Sequence, residues 1–355
     1  MSKGLYIHVP FCVRKCRYCD FYSVTDLSLT GQYTKAVLRN ISAIDENFDT
    51  VYFGGGTPSL LTAEQISEIL SAVKFSGNAE ISMECNPNSV TENYLKEIRS
   101  IGVNRLSFGA QSFCNNELKM LGRLHTAEEA ISAVRSARAV GFENISADIM
   151  LAVSGQTKES LRQSLNVLGT LPLTHVSAYM LKVEEGTPLA RDESLLAKIP
   201  DDDMTAEMYL FAVQRLETMG VMQYEISNFA KKGFECRHNL KYWHCEEYYG
   251  IGPAAHSFVN GERYCCPKNI SDFILSETQG KVTLEKGGSE GEKAMLSLRL
   301  TREGIPADKL SADVYKNAEI LVQKGLMKKE QDSFKLTPAG CLVSNQIIIF
   351  IGLVI

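Results

Sequence analysis

Long apolar runs are missing from these 355 residues: the longest, Ile347 to Ile355, is less than half the roughly 20 residues a membrane-spanning helix needs. No transmembrane segment is expected, although so greasy an end leaves room for a peripheral membrane contact. A positive excess is missing too. The 37 basic residues fall short of the 42 acidic ones, a formal charge of -5, so nothing in the charge attracts a polyanion and no nucleic acid partner is expected. Proline is scarce at 10, and 26 glycines against 45% hydrophobic residues are ordinary. That excludes collagen-like repeats and long disordered stretches. The start, MSKGLYIHVPFC, lacks the apolar core and small-residue cleavage site of a secretion signal, so the expected compartment is the reducing cytoplasm. There the ten cysteines are read as metal or redox ligands before they are read as disulfides.

What is present is an alternation. Short β-rich apolar runs occur at Leu5 to Val9, Val51 to Phe53, Glu80 to Glu84, Arg105 to Phe108, Ile145 to Leu151 and His175 to Leu181. Helical patterns lie between them near 31 to 44, 62 to 74, 91 to 100, 126 to 140 and 158 to 169. A further helix is expected from Asp202 to Met219, opened by Asp201, Asp202 and Asp203 and stopped by Gly220. Strict alternation requires right-handed parallel crossovers, so residues 1–225 are expected to form an α/β sheet, either doubly wound or curled into a barrel. Residues 226–284, crowded with Gly, Pro, His, Cys and aromatics, read as an irregular linker. Residues 285–355 carry helical patterns and then a hairpin pattern, the order of a winged-helix-like domain. Its acidic and basic residues nearly balance, which favours protein packing over DNA binding.

Cys12, Gly54 to Thr57, Glu84 with Asn86, and Gln111 all fall at or just beyond the C-terminal ends of successive strands, the edge that carries the site in either architecture. Cys12, Cys16 and Cys19 put three thiols within eight residues on the first of these loops. A structural zinc site needs a further ligand pair, and no second CxxC or paired HxxxH is present, so a four-iron cluster with one iron left open is the better reading. Gly54-Gly55-Gly56-Thr57-Pro58 follows a strand, lets a ligand approach the backbone, and suits one with an amino-acid end.

These motifs, with YIHVPFCVRKCRYCDF, FGGGTPSLL, ECNPNSV, RLSFGAQSF, LGRLH and SAYMLKVEEGTP, resemble the radical S-adenosylmethionine (SAM) family. The resemblance is closest to the group formed by oxygen-independent coproporphyrinogen III oxidase and its heme-chaperone relatives, and it covers nearly the whole chain. It implies a partial (β/α)6 barrel in which SAM chelates the open iron of a 4Fe-4S cluster held by Cys12, Cys16 and Cys19. It implies that Tyr6 and the backbone of Gly55, Gly56 and Thr57 border SAM, that Tyr18 lies beside the cluster, and that Glu84, Gln111, Arg123 and Asp148 are further SAM contacts. Where the family has Tyr-Gly-Leu-Pro-Gly-Gln-Thr after that aspartate, this chain has Leu151-Ala152-Val153-Ser154-Gly155-Gln156-Thr157, a departure that bears on the local turn.

Two features choose between enzyme and carrier. The oxidases have a fourth cysteine where this chain has Phe21, and the chaperones share with it the motif His238-Asn239-Leu240-Lys241-Tyr242-Trp243. An imidazole can coordinate heme iron, so His238 is the expected axial ligand, with Asn239, Tyr242 and Trp243 completing the heme motif. His244, Cys245 and Cys236 are its nearby substitutes. The expectation is a cytoplasmic carrier that passes heme to an acceptor protein; the alternative is a radical SAM decarboxylase of coproporphyrinogen. No catalytic residue is assigned. Cys85, Cys114 and Cys341 read as small buried hydrophobes and Cys265-Cys266 as structural. His256, in Gly250-Ile251-Gly252-Pro253-Ala254-Ala255-His256-Ser257, sits in a family loop with no legible role.

Overall fold

The computed structural model describes residues 3–353. Six parallel strands alternate with helices: β1 (Lys3–Val9), α1 (Thr30–Ser42), β2 (Phe48–Gly55), α2 (Ala63–Ala72), β3 (Phe75–Cys85), α3 (Glu92–Ser100), β4 (Arg105–Gln111), α4 (Asn115–Leu121), α5 (Ala127–Ala139), β5 (Asn144–Leu151), α6 (Lys158–Gly169) and β6 (His175–Met180). They pair in chain order, β1 through β6. Leu5, Ile7 and Val9, on successive turns of the pleat, are all fully buried, as expected of strands covered by helices. Local chemistry starts the helices where the alternation predicts. Thr62 with Gln65 and Thr126 with Glu129 form capping boxes on α2 and α5. Only α4, packed into the crossover after β4, lacked a pattern of its own.

Beyond the sixth strand come α7 (Glu193–Leu196) and α8 (Asp202–Thr218), the latter capped by Asp201 and followed by Gly220 in the left-handed region, as its sequence predicts. The stretch read as an irregular linker is more ordered than expected. It follows β7 (Met222–Gln223) with β8 (Asn228–Ala230), α9 (Arg237–Trp243), β9 (Tyr248–Ile251), β10 (His256–Val259), β11 (Glu262–Cys265), α10 (Ile270–Leu275) and β12 (Val282–Lys286). These strands extend both edges of the main sheet, whose order is β12-β11-β10-β9-β1-β2-β3-β4-β5-β6-β8-β7. Two- to five-residue strands are too short to show a period, which is why the sequence hid them. β9 pairs parallel with β1, so the first strand lies inside the sheet; β12 runs across residues 284 and 285, so the sheet does not stop at the expected boundary.

The remainder holds α11 (Glu290–Ser297), β13 (Ile305–Pro306), α12 (Ala312–Gln323), β14 (Met327–Glu330), β15 (Ser333–Leu336), α13 (Pro338–Leu342) and α14 (Ser344–Ile351), with a small sheet β13-β15-β14. One continuous cluster of buried apolar side chains runs from β1 into this segment and includes Leu321, Phe334 and Ile347. The apolar end spends Ile347, Ile348, Ile351 and Leu353 in that core and exposes Ile349 and Phe350; Val354 and Ile355 lie outside the described residues. No helix among the described residues is long and apolar enough to cross a membrane.

Candidate functional site

The cysteine loop leaves β1 at its C-terminal end and is pinned at both sides. The Cys12 N–H donates to Val24 O at 3.0 Å, Val24 N–H returns to Pro10 O at 2.6 Å, and Arg17 N–H reaches Leu121 O at 3.1 Å. Cys12, Cys16 and Cys19 are half-buried and unbridged. Burial and the neighbouring thiols push Cys19 up to about 11. Among the described residues no three His, Cys, Asp or Glu side chains converge as a single metal ion would require. A four-iron cube gives each thiolate its own iron and spaces the ligands apart.

The glycine strap has a cause internal to the chain. A Cβ on Gly56 would stand 2.6 Å from Phe11 O and 2.9 Å from Val9 O, and one on Gly55, at φ +110°, would meet the His8 ring at 2.6 Å. These glycines let the end of β2 press against the root of the cysteine loop, where Gly56 N–H donates to Val9 O at 2.8 Å. Thr57 Oγ1 lies 3.6 Å from Cys12 Sγ and accepts from Asn86 Nδ2 at 2.8 Å. Asn86 Oδ1 in turn accepts from Arg123 Nη2 at 2.6 Å, which also donates to Gly109 O at 2.8 Å, while Arg123 Nη1 reaches Cys16 Sγ at 3.4 Å. Thus Arg123 is no surface residue: its guanidinium ties the cysteine loop to β3 and β4.

Glu84 stands at the end of β3 and Asp148 within β5. Glu84 accepts from Tyr52 Oη at 2.9 Å and from Gly55 N–H at 3.1 Å, and Asp148 accepts from Ser107 Oγ at 2.9 Å. Burial and the charge of Asp148 push Glu84 up to about 7, and burial raises Asp148. Two cavity-lining carboxyl groups raised in this way form a place where a cationic ligand group is favoured. Gln111, at φ +63°, turns the chain at the end of β4. The altered turn after Asp148 is held by Gln156, which the chain keeps from the family's run. Ala152 takes φ +57°, its N–H donates to Gln156 Oε1 at 2.6 Å, and Gln156 Nε2 donates to the buried Glu117 at 3.1 Å.

The expected cluster cysteines and the expected SAM contacts other than Tyr6 line one cavity of about 500 Å³, which also takes in Tyr18, Met150, Tyr179, Lys182 and Glu184. Tyr6, expected against SAM, lines instead a neighbouring cleft of about 340 Å³ with His8, Tyr242 and His256; its hydroxyl is 3.1 Å from His8 Nδ1. The residues fit the two groups the motifs imply. Three thiols and a half-buried carboxyl pair line the same cavity, and Arg123 Nε is buried with no hydrogen-bond partner among the described residues.

The heme motif requires a correction. His238 is buried, its Nδ1 2.8 Å from Thr50 Oγ1 and its Nε2 2.8 Å from Tyr242 Oη, so neither nitrogen has a lone pair directed at a ligand. Burial, with Lys241 adding, pushes its pKa down to about 3. This histidine fastens α9 to β2, and of the motif only Tyr242 lines either of these two cavities; Asn239 and Trp243 are half-buried and line neither. Of the substitutes, Cys236 is buried with its thiol 3.7 Å from Glu80, and His244 Nε2 is 2.9 Å from Glu303. Sequence reasoning missed Asn86 as the hub between Arg123 and Thr57, Tyr179 at the end of β6, and Lys182 and Glu184 beyond it. Their position at or just after the ends of strands was the available signal.

A parallel sheet with this cysteine-lined cavity at its C-terminal edge defines a radical SAM protein, and the Radical SAM superfamily model matches residues 6–168. Over most of its length the chain is similar to the heme chaperone HemW of Mycobacterium tuberculosis (34% identical, covering 97% of this chain and 93% of that one), of Bacillus subtilis (34%, 97% and 98%) and of Lactococcus lactis (37%, 96% and 95%). The chain belongs to the HemW family. Among solved structures, coproporphyrinogen III oxidase (HemN) of Escherichia coli has the same fold, with a TM-score of 0.81 at 20% identity over 99% of this chain and 90% of that one.

Proposed function

We propose that this chain is a heme chaperone of the cytoplasm, which binds heme and passes it to an acceptor protein, with a 4Fe-4S cluster and SAM in the main cavity. The observation that carries this reading is 34–37% identity, end to end, to proteins named for that role. Phe21 supports it. The ring stands 62% exposed at the rim of the cavity, where it offers neither thiol nor charge but a flat apolar surface for a macrocycle.

Cys12, Cys16 and Cys19 would hold the cluster, which when bound supplies single electrons to SAM. Arg123 holds the cysteine loop against the sheet. Glu84 and Asp148 favour a cationic group between them, and the Gly55 N–H that Glu84 accepts fixes the carboxylate in place. The test is an anaerobic comparison, on one preparation with reconstituted cluster, of heme binding against conversion of coproporphyrinogen III. Stoichiometric heme binding without turnover is expected. Accumulation of protoporphyrinogen over many turnovers, with loss of two carboxylates as carbon dioxide, would overturn the reading in favour of the oxidase.

A further inference from the structure

The cleft of about 340 Å³ adjoins the main cavity, and the wall between the two is made by Asp20 and Phe21, which line both. Tyr6, Tyr22, Tyr242 and Tyr248 form its aromatic sides. Three imidazoles lie in or near it, and two are committed. His8 has its nitrogens 3.1 Å from Tyr6 Oη and 3.0 Å from Tyr22 O, and both nitrogens of His238 are taken as described. His256 is different: it is exposed to the cleft, and among the described residues its ring has no hydrogen bond or ion pair. Burial of part of the ring and the charges of Lys268 and Arg263 disfavour its protonation, which leaves a neutral nitrogen donor.

The loop ahead of His256 is rigid by construction. A Cβ on Gly252, at φ +111°, would stand 2.5 Å from His8 O, and one on Gly250 would meet His256 O at 2.0 Å. The loop is therefore pressed onto β1, and the antiparallel pairing of His256 with Cys265 holds the start of β10 beside the cleft. Lys268 lines the same cleft, is exposed, and has no salt bridge among the described residues. An imidazole with a free lone pair, a flat aromatic wall, an exposed phenyl ring and an unpaired ammonium suit a ligand with a metal centre, a flat apolar face and an anionic edge.

We propose that heme binds across this cleft with its iron on His256, its macrocycle against Phe21, and a propionate on Lys268. The proposal rests on the carrier reading and assigns it a ligand that the His238 motif does not supply. Hemin and metal-free protoporphyrin IX are each titrated into the full chain with its cluster assembled, followed by visible absorption and by quenching of the Trp243 fluorescence. His256→Ala should weaken hemin binding roughly tenfold or more and change its spectrum, and leave protoporphyrin binding unaltered. Free imidazole should restore the spectrum in His256→Gly. Lys268→Ala should weaken both ligands alike. An unchanged hemin spectrum in His256→Ala overturns the assignment while the carrier reading stands, whereas no hemin binding by the unaltered protein defeats both.

Discussion

Gly56 shows how little space separates the glycine strap from the cysteine loop. An alanine there would drive its Cβ against the backbone oxygens of Phe11 and Val9, at 2.6 and 2.9 Å, and backbone cannot swing aside as a long side chain can. Gly56→Ala should therefore cost about 2–4 kcal/mol in urea unfolding and lower the iron retained after reconstitution. Gly77→Ala, where nothing lies within 4 Å of the added atom, is the control expected to change iron content not at all. In a second experiment, alanine at Cys12, Cys16 or Cys19 should abolish the brown, iron-bearing product, and Cys341→Ala, in the core, should keep it. The three cysteines and Glu84 were legible because they stand at or just beyond a strand end, where local sequence determines position, whereas Asp148, inside β5, was legible only through the family resemblance. The fate of His238 was not. Its partners Thr50 and Glu80 lie on strands far away in sequence, and a motif of one histidine and two aromatics reads the same whether it faces a ligand or the back of a sheet.

Helix α9 shows why that motif is structural at the scale of an element. No side chain of its own caps it; instead the buried Glu80 of β3 accepts the N–H groups of Arg237 at 3.2 Å and His238 at 3.1 Å, placing a carboxylate at the positive end of the helix. His238 then fixes the same turn to β2. Removing Glu80 as Glu80→Ala should destabilise the protein by about 2 kcal/mol, and His238→Ala, which strips two buried hydrogen bonds, by about 3 kcal/mol. Both should shift the thermal midpoint and leave the hemin spectrum as it was. A spectrum lost in His238→Ala at temperatures where the variant is folded would contradict this account. The long alternation that made β1 to β6 readable ends just before α9, and beyond it strands of two to five residues owe their pairing to neighbours the local sequence does not reveal.

At the scale of the whole molecule, buried titratable groups of two kinds oppose each other. Burial holds His8, His125, His175 and His238 below the usual imidazole range, His125 at about 4 and His238 at about 3. Each takes a proton more readily when unfolded, so each makes stability fall as pH drops below about 6.5. Burial pushes Glu84 and Glu225 up to about 7, and these keep in the folded state a proton the unfolded chain releases. Their contribution is present below about pH 4.5 and is lost as pH rises through about 7. Across about pH 5 to 6.5 the slopes therefore offset, and Glu225→Gln should make stability climb more steeply with pH over that range. Urea midpoints at a series of pH values measure this, and a flatter slope in the variant would contradict it. One further consequence belongs to the order of synthesis. β1, which leads into the cluster cysteines, is flanked on one side by β2, made early, and on the other by β9, made only when Tyr248 is reached. A nascent chain halted before that point carries its thiols beside a bare strand edge, free to pair with another such chain. Translation up to Ile251 thus runs as a race against aggregation.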